Sequence, residues 1–75
     1  MHEVVVGIQE VDYENKSGLR VQGKRLFLTY ESDKILGSGV EAVYIPQRVE
    51  CDVKIGDTIN ILYNRFGKVD KVVIV

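Results

Sequence analysis

Lys16, Arg20 and Lys24 recur at every fourth position in the segment KSGLRVQGK, residues 16–24, and Arg25 follows directly. A second cationic group, Arg65, Lys68 and Lys71, lies near the end of the chain. Each group has aromatic neighbours: Tyr13 and Phe27 flank the first, and Tyr63 and Phe66 belong to the second. Cations that track phosphates beside rings that stack on unpaired bases are the chemistry of single-stranded nucleic-acid binding, where stacking contributes about 1 to 3 kcal/mol per base. Phe66, between Arg65 and Gly67 at a turn tip, has no core to enter from so short a loop and is the first stacking candidate, ahead of Tyr13, Phe27 and Tyr63. Phosphate contacts fall to Lys16, Arg20, Lys24, Arg25, Arg65, Lys68 and Lys71. Tyr30 and Tyr44 read as core or interface residues. Cations at alternate strand positions also commonly form a plain solvated face, so residue pattern alone leaves a nucleic-acid binder and a protein-binding module level.

The net charge of -1 gives no strong general field, so only local clusters act on a partner, within a Debye length of about 10 Å. Those clusters are sharply placed: residues 13–25 sum to +3 and residues 58–75 to +2, against -3 for residues 1–12 and -3 for residues 31–57. Other chemistry has little to work with. One histidine, His2, and one cysteine, Cys51, cannot fill a tetrahedral zinc shell. His2 has no partner near it in sequence, the carboxylates are scattered, and no glycine-rich phosphate loop precedes a helix. Cys51 stands beside Asp52 without the electropositive surroundings that activate a thiolate, and reads as structural. The expectation is a binding protein, not an enzyme, with no metal or cofactor.

The elements that must position these residues read as strands. Val4, Val5, Val6, Ile8 and Val11 open the chain with β-branched side chains, which lose less rotamer freedom on a pleated surface than in a helix. Asn15 to Gly18 supplies a turn, and a long second strand runs from Leu19 to Tyr30. On it Arg20, Gln22 and Lys24 share one face with Leu26 and Leu28, whereas Arg25 and Phe27 share the other. An apolar face that changes sides within one strand predicts a bulge or sharp coil at Gly23. Ser32 to Gly39 reads as a loop with room for one helical turn at Asp33 to Leu36. Further strands follow at Val40 to Ile45, stopped by Pro46, at Thr58 to Tyr63 after the Lys54 to Asp57 turn, and at Lys68 to Val75 after the Asn64 to Gly67 turn.

Two hairpins and a connecting strand, with turn signals roughly every ten residues, predict an all-β single domain over residues 1–75: a small five-stranded barrel, oligonucleotide-binding (OB)-fold-like, or in second place an SH3-like barrel. Seventy-five residues approach the lower limit for a core without disulfide or metal, so a homodimer is expected. No apolar run approaches the ~20 residues of a membrane span, and no signal-peptide pattern opens the chain; a cytoplasmic protein is expected.

At Lys16, Ser17, Gly18, Gln22, Gly23 and Lys24 the chain resembles the DNA-binding wing of the filamentous-phage gene V family, the helix-destabilising single-stranded DNA-binding proteins. Arg65-Phe66-Gly67 followed by Asp70-Lys71-Val72 is similar to the later hairpin of that family, about two residues shorter. The two patches cover about a third of the chain. Val21 stands where the family has a second wing arginine, its wing tyrosine falls at Leu26 or one place from Phe27, and residues 31–57 have no clear counterpart. The resemblance implies a dimeric OB barrel that coats single strands cooperatively during phage replication, with Phe66 on the DNA and Lys71 in place of the exit arginine. A competing likeness, Lys54-Ile55-Gly56-Asp57 with Phe66-Gly67-Lys68-Val69, is to SH3-like barrels of the ribosomal and transcription-factor type. The nucleic-acid reading requires both hairpin tips to face one common strip.

Overall fold

The computed structural model describes residues 2–75. Five strands, β1 (Glu3–Glu14), β2 (Arg20–Glu31), β3 (Ser38–Pro46), β4 (Thr58–Tyr63) and β5 (Val69–Ile74), form one antiparallel sheet in the order β3-β2-β1-β4-β5. The long connection from Pro46 to Thr58 brings β4 back beside β1, which is a Greek key. A closed barrel is not found: β3 and β5, the two edges, approach each other without a hydrogen-bonded ladder. Residues 33–36 form turn and bend rather than a helical turn, held by the Ile35 amide donating to the Ser32 carbonyl at 3.1 Å.

The core is Val5, Leu26, Leu28, Ile45, Ile59, Ile61 and Val69 from the strands, closed by Val49 and Val53 from the β3–β4 connection. Each such side chain contributes roughly 1.5 to 3 kcal/mol on burial. Cys51 packs partly buried against this cluster.

The bulge expected at Gly23 lies elsewhere. Gly23 is in regular register with Val11 on one side and Pro46 on the other, and the register shifts fall between Val5 and Gly7 and between Leu62 and Tyr63. The inward face of β2 runs unbroken from Arg20 through Gln22, Lys24 and Leu26 to Leu28; it turns from polar to apolar because the first half of the strand projects beyond the core. What Gly23 permits is close approach: a Cβ there would collide with the Ile45 carbonyl oxygen and come within 3.0 Å of the Tyr44 ring.

Both hairpins end in the same turn. Asn15 Oδ1 accepts the amides of Ser17 (2.9 Å) and Leu19 (3.0 Å), and Asn64 Oδ1 those of Phe66 (2.9 Å) and Lys68 (3.1 Å). Gly18 and Gly67 follow with φ of +80° and +76°, in the left-handed region a side chain would resist. An Asn followed three residues later by Gly thus specifies the tip twice.

Candidate nucleic-acid interface

Ladder order decides how the two cationic hairpins face. Glu3 pairs with Ile59 and Val4 with Thr58, so β1 runs from this ladder toward the tip at residues 15–19 and β4 runs the opposite way toward the tip at 64–68. The strip expected to join both tips is not formed, because antiparallel neighbours send their outgoing turns in opposite directions; the two-tip interface drawn from the sequence therefore fails, and a nucleic-acid interface needs a different surface. Phe66 nonetheless remains 73% exposed, with Arg65 Cζ 5.1 Å from its ring centroid, a cation–π distance.

The first hairpin divides its cations. Arg20 donates to both carboxylate oxygens of Asp12, at 2.9 and 3.0 Å, and the guanidinium holds that carboxyl below its ordinary range through the hydrogen bond. Arg20 is therefore committed to an intramolecular partner. Lys24 turns to the inward side, its Nζ donating to the Cys51 carbonyl at 3.3 Å, in a hollow that it shares with Glu10, Asp12 and Glu50. Arg25 faces outward and donates to Gln9 Oε1 at 3.0 Å. Lys16 stays exposed at the tip, and Tyr13 is exposed near the end of β1.

A different grouping emerges on the outer side of β2 and β3. Directly opposed residues share a face, so the pairs Arg25 with Tyr44 and Phe27 with Ala42 lay a ring, a cation, a second ring and a methyl side by side. Tyr44 is fixed there: its hydroxyl donates to the Gln22 carbonyl at 2.8 Å, and its ring rests over Gly23. Phe27 lies against Gly7, where a Cβ would sit 3.1 Å from its Cδ2, and lines a carbon-rich hollow with Val6, Val40 and Ala42. From Tyr44 the surface drops into an open groove of ≈ 580 Å³ between β3 and the β4–β5 hairpin, lined by Tyr44, Arg48, Tyr63 and Lys68. Lys71 lies on the far side of β5, in a hollow with Arg48, Asp52 and Asp70.

Sequence reasoning thus missed Arg48, two residues past Pro46, and its reading of Tyr44 as core or interface loses the core half, since Tyr44 is exposed. The exposure of Tyr44 had one legible signal, its place on the same strand face as Ala42 and Val40, opposite to Val43 and Ile45. Arg48 had none, since its position depends on the path of the β3–β4 connection.

Two acidic groups act on the groove through Tyr63. Glu3 Oε2 is buried with no hydrogen-bond partner; burial first, then the adjacent Glu41 carboxyl, push the Glu3 pKa up to about 7. Burial and the Glu41 and Glu3 charges also raise the Tyr63 phenol above its ordinary value. Among the described residues no group of three or more His, Cys, Asp or Glu could hold a metal ion, and no helix is long and apolar enough to cross a membrane. No family model matches the chain, and no curated protein or solved structure does.

Proposed function

We propose that the chain binds single-stranded nucleic acid, DNA with RNA as the alternative, largely without sequence preference, along the outer face of β2 and β3 and into the groove between β3 and β5. One observation carries this reading: Tyr44, Tyr63, Arg48 and Lys68 line one open groove, continuous through the Arg25–Tyr44 pair with Phe27. Rings for bases and cations for phosphates, side by side in a channel, are what a flexible strand needs. Stacking falls to Tyr44, Tyr63 and Phe27, with Phe66 extending the groove at the second tip. Phosphate contacts fall to Arg25, Arg48, Arg65 and Lys68, with Lys16 serving a strand that continues past the first tip.

The Greek key and the approach of β3 to β5 support an OB-like barrel open along that seam; in such barrels the second and third strands and the loops joining strands 1–2 and 4–5 bind oligonucleotides. The likeness to the gene V wing favours a cytoplasmic role in replicating phage or mobile-element DNA. A homodimer fits the surface area: 5694 Å² are exposed, against about 4,700 Å² for a compact monomer of this mass, an excess of the size one partner buries in a standard interface.

Tyrosine fluorescence tests the reading, because the chain has four tyrosines and no tryptophan. Labelled or plain oligothymidylate should quench it at low salt, and quenching should reverse as salt rises, since phosphate contacts release counterions. Tyr63→Ala should weaken binding by about 5- to 150-fold, the equivalent of about 1 to 3 kcal/mol of stacking. Lys68→Ala should lower the salt slope by about 0.7, while Lys24→Ala leaves both nearly unchanged. Absence of quenching at low salt ends the proposal. The carbon-rich hollow around Phe27, Val6, Val40 and Ala42 favours a second reading, a protein-interaction module; there Phe27→Ala would abolish capture of a peptide or subunit, with no oligonucleotide binding by any variant.

A further inference from the structure

We propose that Glu3 and Glu41 form a carboxyl pair sharing one proton, and that the fully ionised pair acts as a brake on nucleic-acid binding in the adjacent groove. The inference rests on the nucleic-acid reading above and concerns the regulation of that site.

Register sets both carboxyls on the inward face at one end of the sheet, with β2 between their strands. Glu3 lies two residues before buried Val5 on the inward face of β1 and is opposite buried Ile59. Glu41 is opposite buried Leu28, which is itself opposite Val5. Tyr63 follows Ile59 and Ile61 at the same parity on β4. Three strands therefore deliver two carboxyls and a phenol to one end of the core, at positions where the pattern elsewhere places aliphatic side chains. The buried, unpartnered Glu3 Oε2 shows what is missing there. Two carboxylates are both acceptors and cannot hydrogen-bond each other; one proton held between them satisfies the orphan oxygen and removes one of two like charges.

The groups acting on Glu3 are known. From β3 the Glu41 carboxyl acts as hydrogen-bond partner and as charge, both in the direction of protonation, and the terminal ammonium acts against it. From β4, Tyr63 feels both carboxylates. From β2 the register Val5–Leu28 and Val4–Thr29 puts Tyr30 in line with Glu3, a phenol whose ring rests over Gly39, and the uncharged Leu28 opposite Glu41. Burial first, then the Glu41 hydrogen bond and charge, push the Glu3 carboxyl up to about 7.

Position couples the proton to the groove. Glu41 lines the hollow with Phe27, Val40 and Ala42, its neighbour Ala42 reaches the groove, and Tyr63 lines that groove with Arg48 and Lys68. Above neutrality two negative charges stand beside a path that offers two cations; below it only one does. A phosphate strand is then bound more weakly as pH rises, and by linkage the bound strand raises the affinity of the pair for its proton.

The test is oligothymidylate binding at pH 6.0 and 8.0 at fixed low ionic strength, in a His2→Gln background so that the imidazole contributes nothing. The parent should bind about threefold to tenfold more tightly at pH 6.0, the effect of one charge removed about 10 Å from several phosphates. Glu3→Gln, which keeps the shape of the neutral acid, should bind at both pH values with the affinity of the parent at pH 6.0, and Glu41→Gln should do the same. Binding that is independent of pH in the parent, or equally dependent on pH in Glu3→Gln and Glu41→Gln, overturns the brake while leaving the nucleic-acid reading standing. No binding by any variant at either pH overturns both.

Discussion

The two hairpins share a turn and almost nothing else. Asn15 and Asn64 each gather two backbone amides, and Gly18 and Gly67 each supply the left-handed residue. Behind the first tip, however, β1 and β2 run on for 12 residues each, and the outer half of that ribbon is a wing: its inward positions are Asp12, Gln22, Lys24 and Arg20, with Arg20 held by Asp12 inside the wing and Lys24 reaching out to the Cys51 carbonyl. Behind the second tip the strands have 6 residues each and enter the core at once through Ile59, Ile61 and Val69. The same local sequence therefore makes an extended arm in one place and a wall of the groove in the other. Turn chemistry sets a tip; distance from the core sets what the hairpin can do.

The largest test of that contrast is stability. Ile59→Ala in the second hairpin should cost about 2 to 5 kcal/mol through lost burial and the cavity left behind, whereas Val21→Ala in the wing should cost about 0.5 kcal/mol, as a substitution away from the core. Urea unfolding of both variants reads the difference, and equal losses would mean that the wing is part of the core. Gly23→Ala, at the junction of wing and core, should cost about 1 to 3 kcal/mol because the new methyl meets the Ile45 carbonyl and the Tyr44 ring. It should also loosen the Tyr44 hydroxyl from Gln22, visible as a change in tyrosine emission.

The shared turn gives a sharper comparison with a smaller effect. Asn15→Ala and Asn64→Ala each remove an acceptor of two amides and should each cost about 1 kcal/mol, within a few tenths of each other, on the same urea assay. A large excess at Asn64 would show that the second tip supports more than itself.

A comparison of another kind is one of pH, and it belongs to the seam beside the second hairpin. The Glu3 pKa is raised from an ordinary value of 4.5 to about 7 in the folded state, so between these limits the folded chain holds a proton that the unfolded chain has lost. The stability due to this group is fully present below pH 4.5 and is lost as pH rises through 7. Thermal melts across this window should show the decline in the parent and not in Glu3→Gln; the paired wing carboxylate Asp12, shifted the other way, contributes nothing to it.

Much of the fold was legible because its signals are local. The span Thr58 to Tyr63 stands as predicted, the Asn64 to Gly67 turn does too, and the other strands differ by a few residues at their ends. Gly23 was misassigned because parity along one strand cannot tell a bulge from a strand that outruns its core. Candidate cations were legible by type and by face, yet Arg20, Lys24 and Arg25 turn to different partners, Asp12, the Cys51 carbonyl and Gln9, which spacing alone does not disclose.

By itself the sequence determined five strands, two tips and the residues that stand at them, since alternation, β-branching and the Asn-x-x-Gly turns act over a few residues of chain. Only the tertiary structure decided that the tips diverge, that Tyr44 and Arg48 join Tyr63 and Lys68, and that Glu3 meets Glu41. Those outcomes follow from which strand lies beside which, and the pairing of β1 with β4 is set by burial of side chains more than fifty residues apart, a long-range contact that no local pattern encodes.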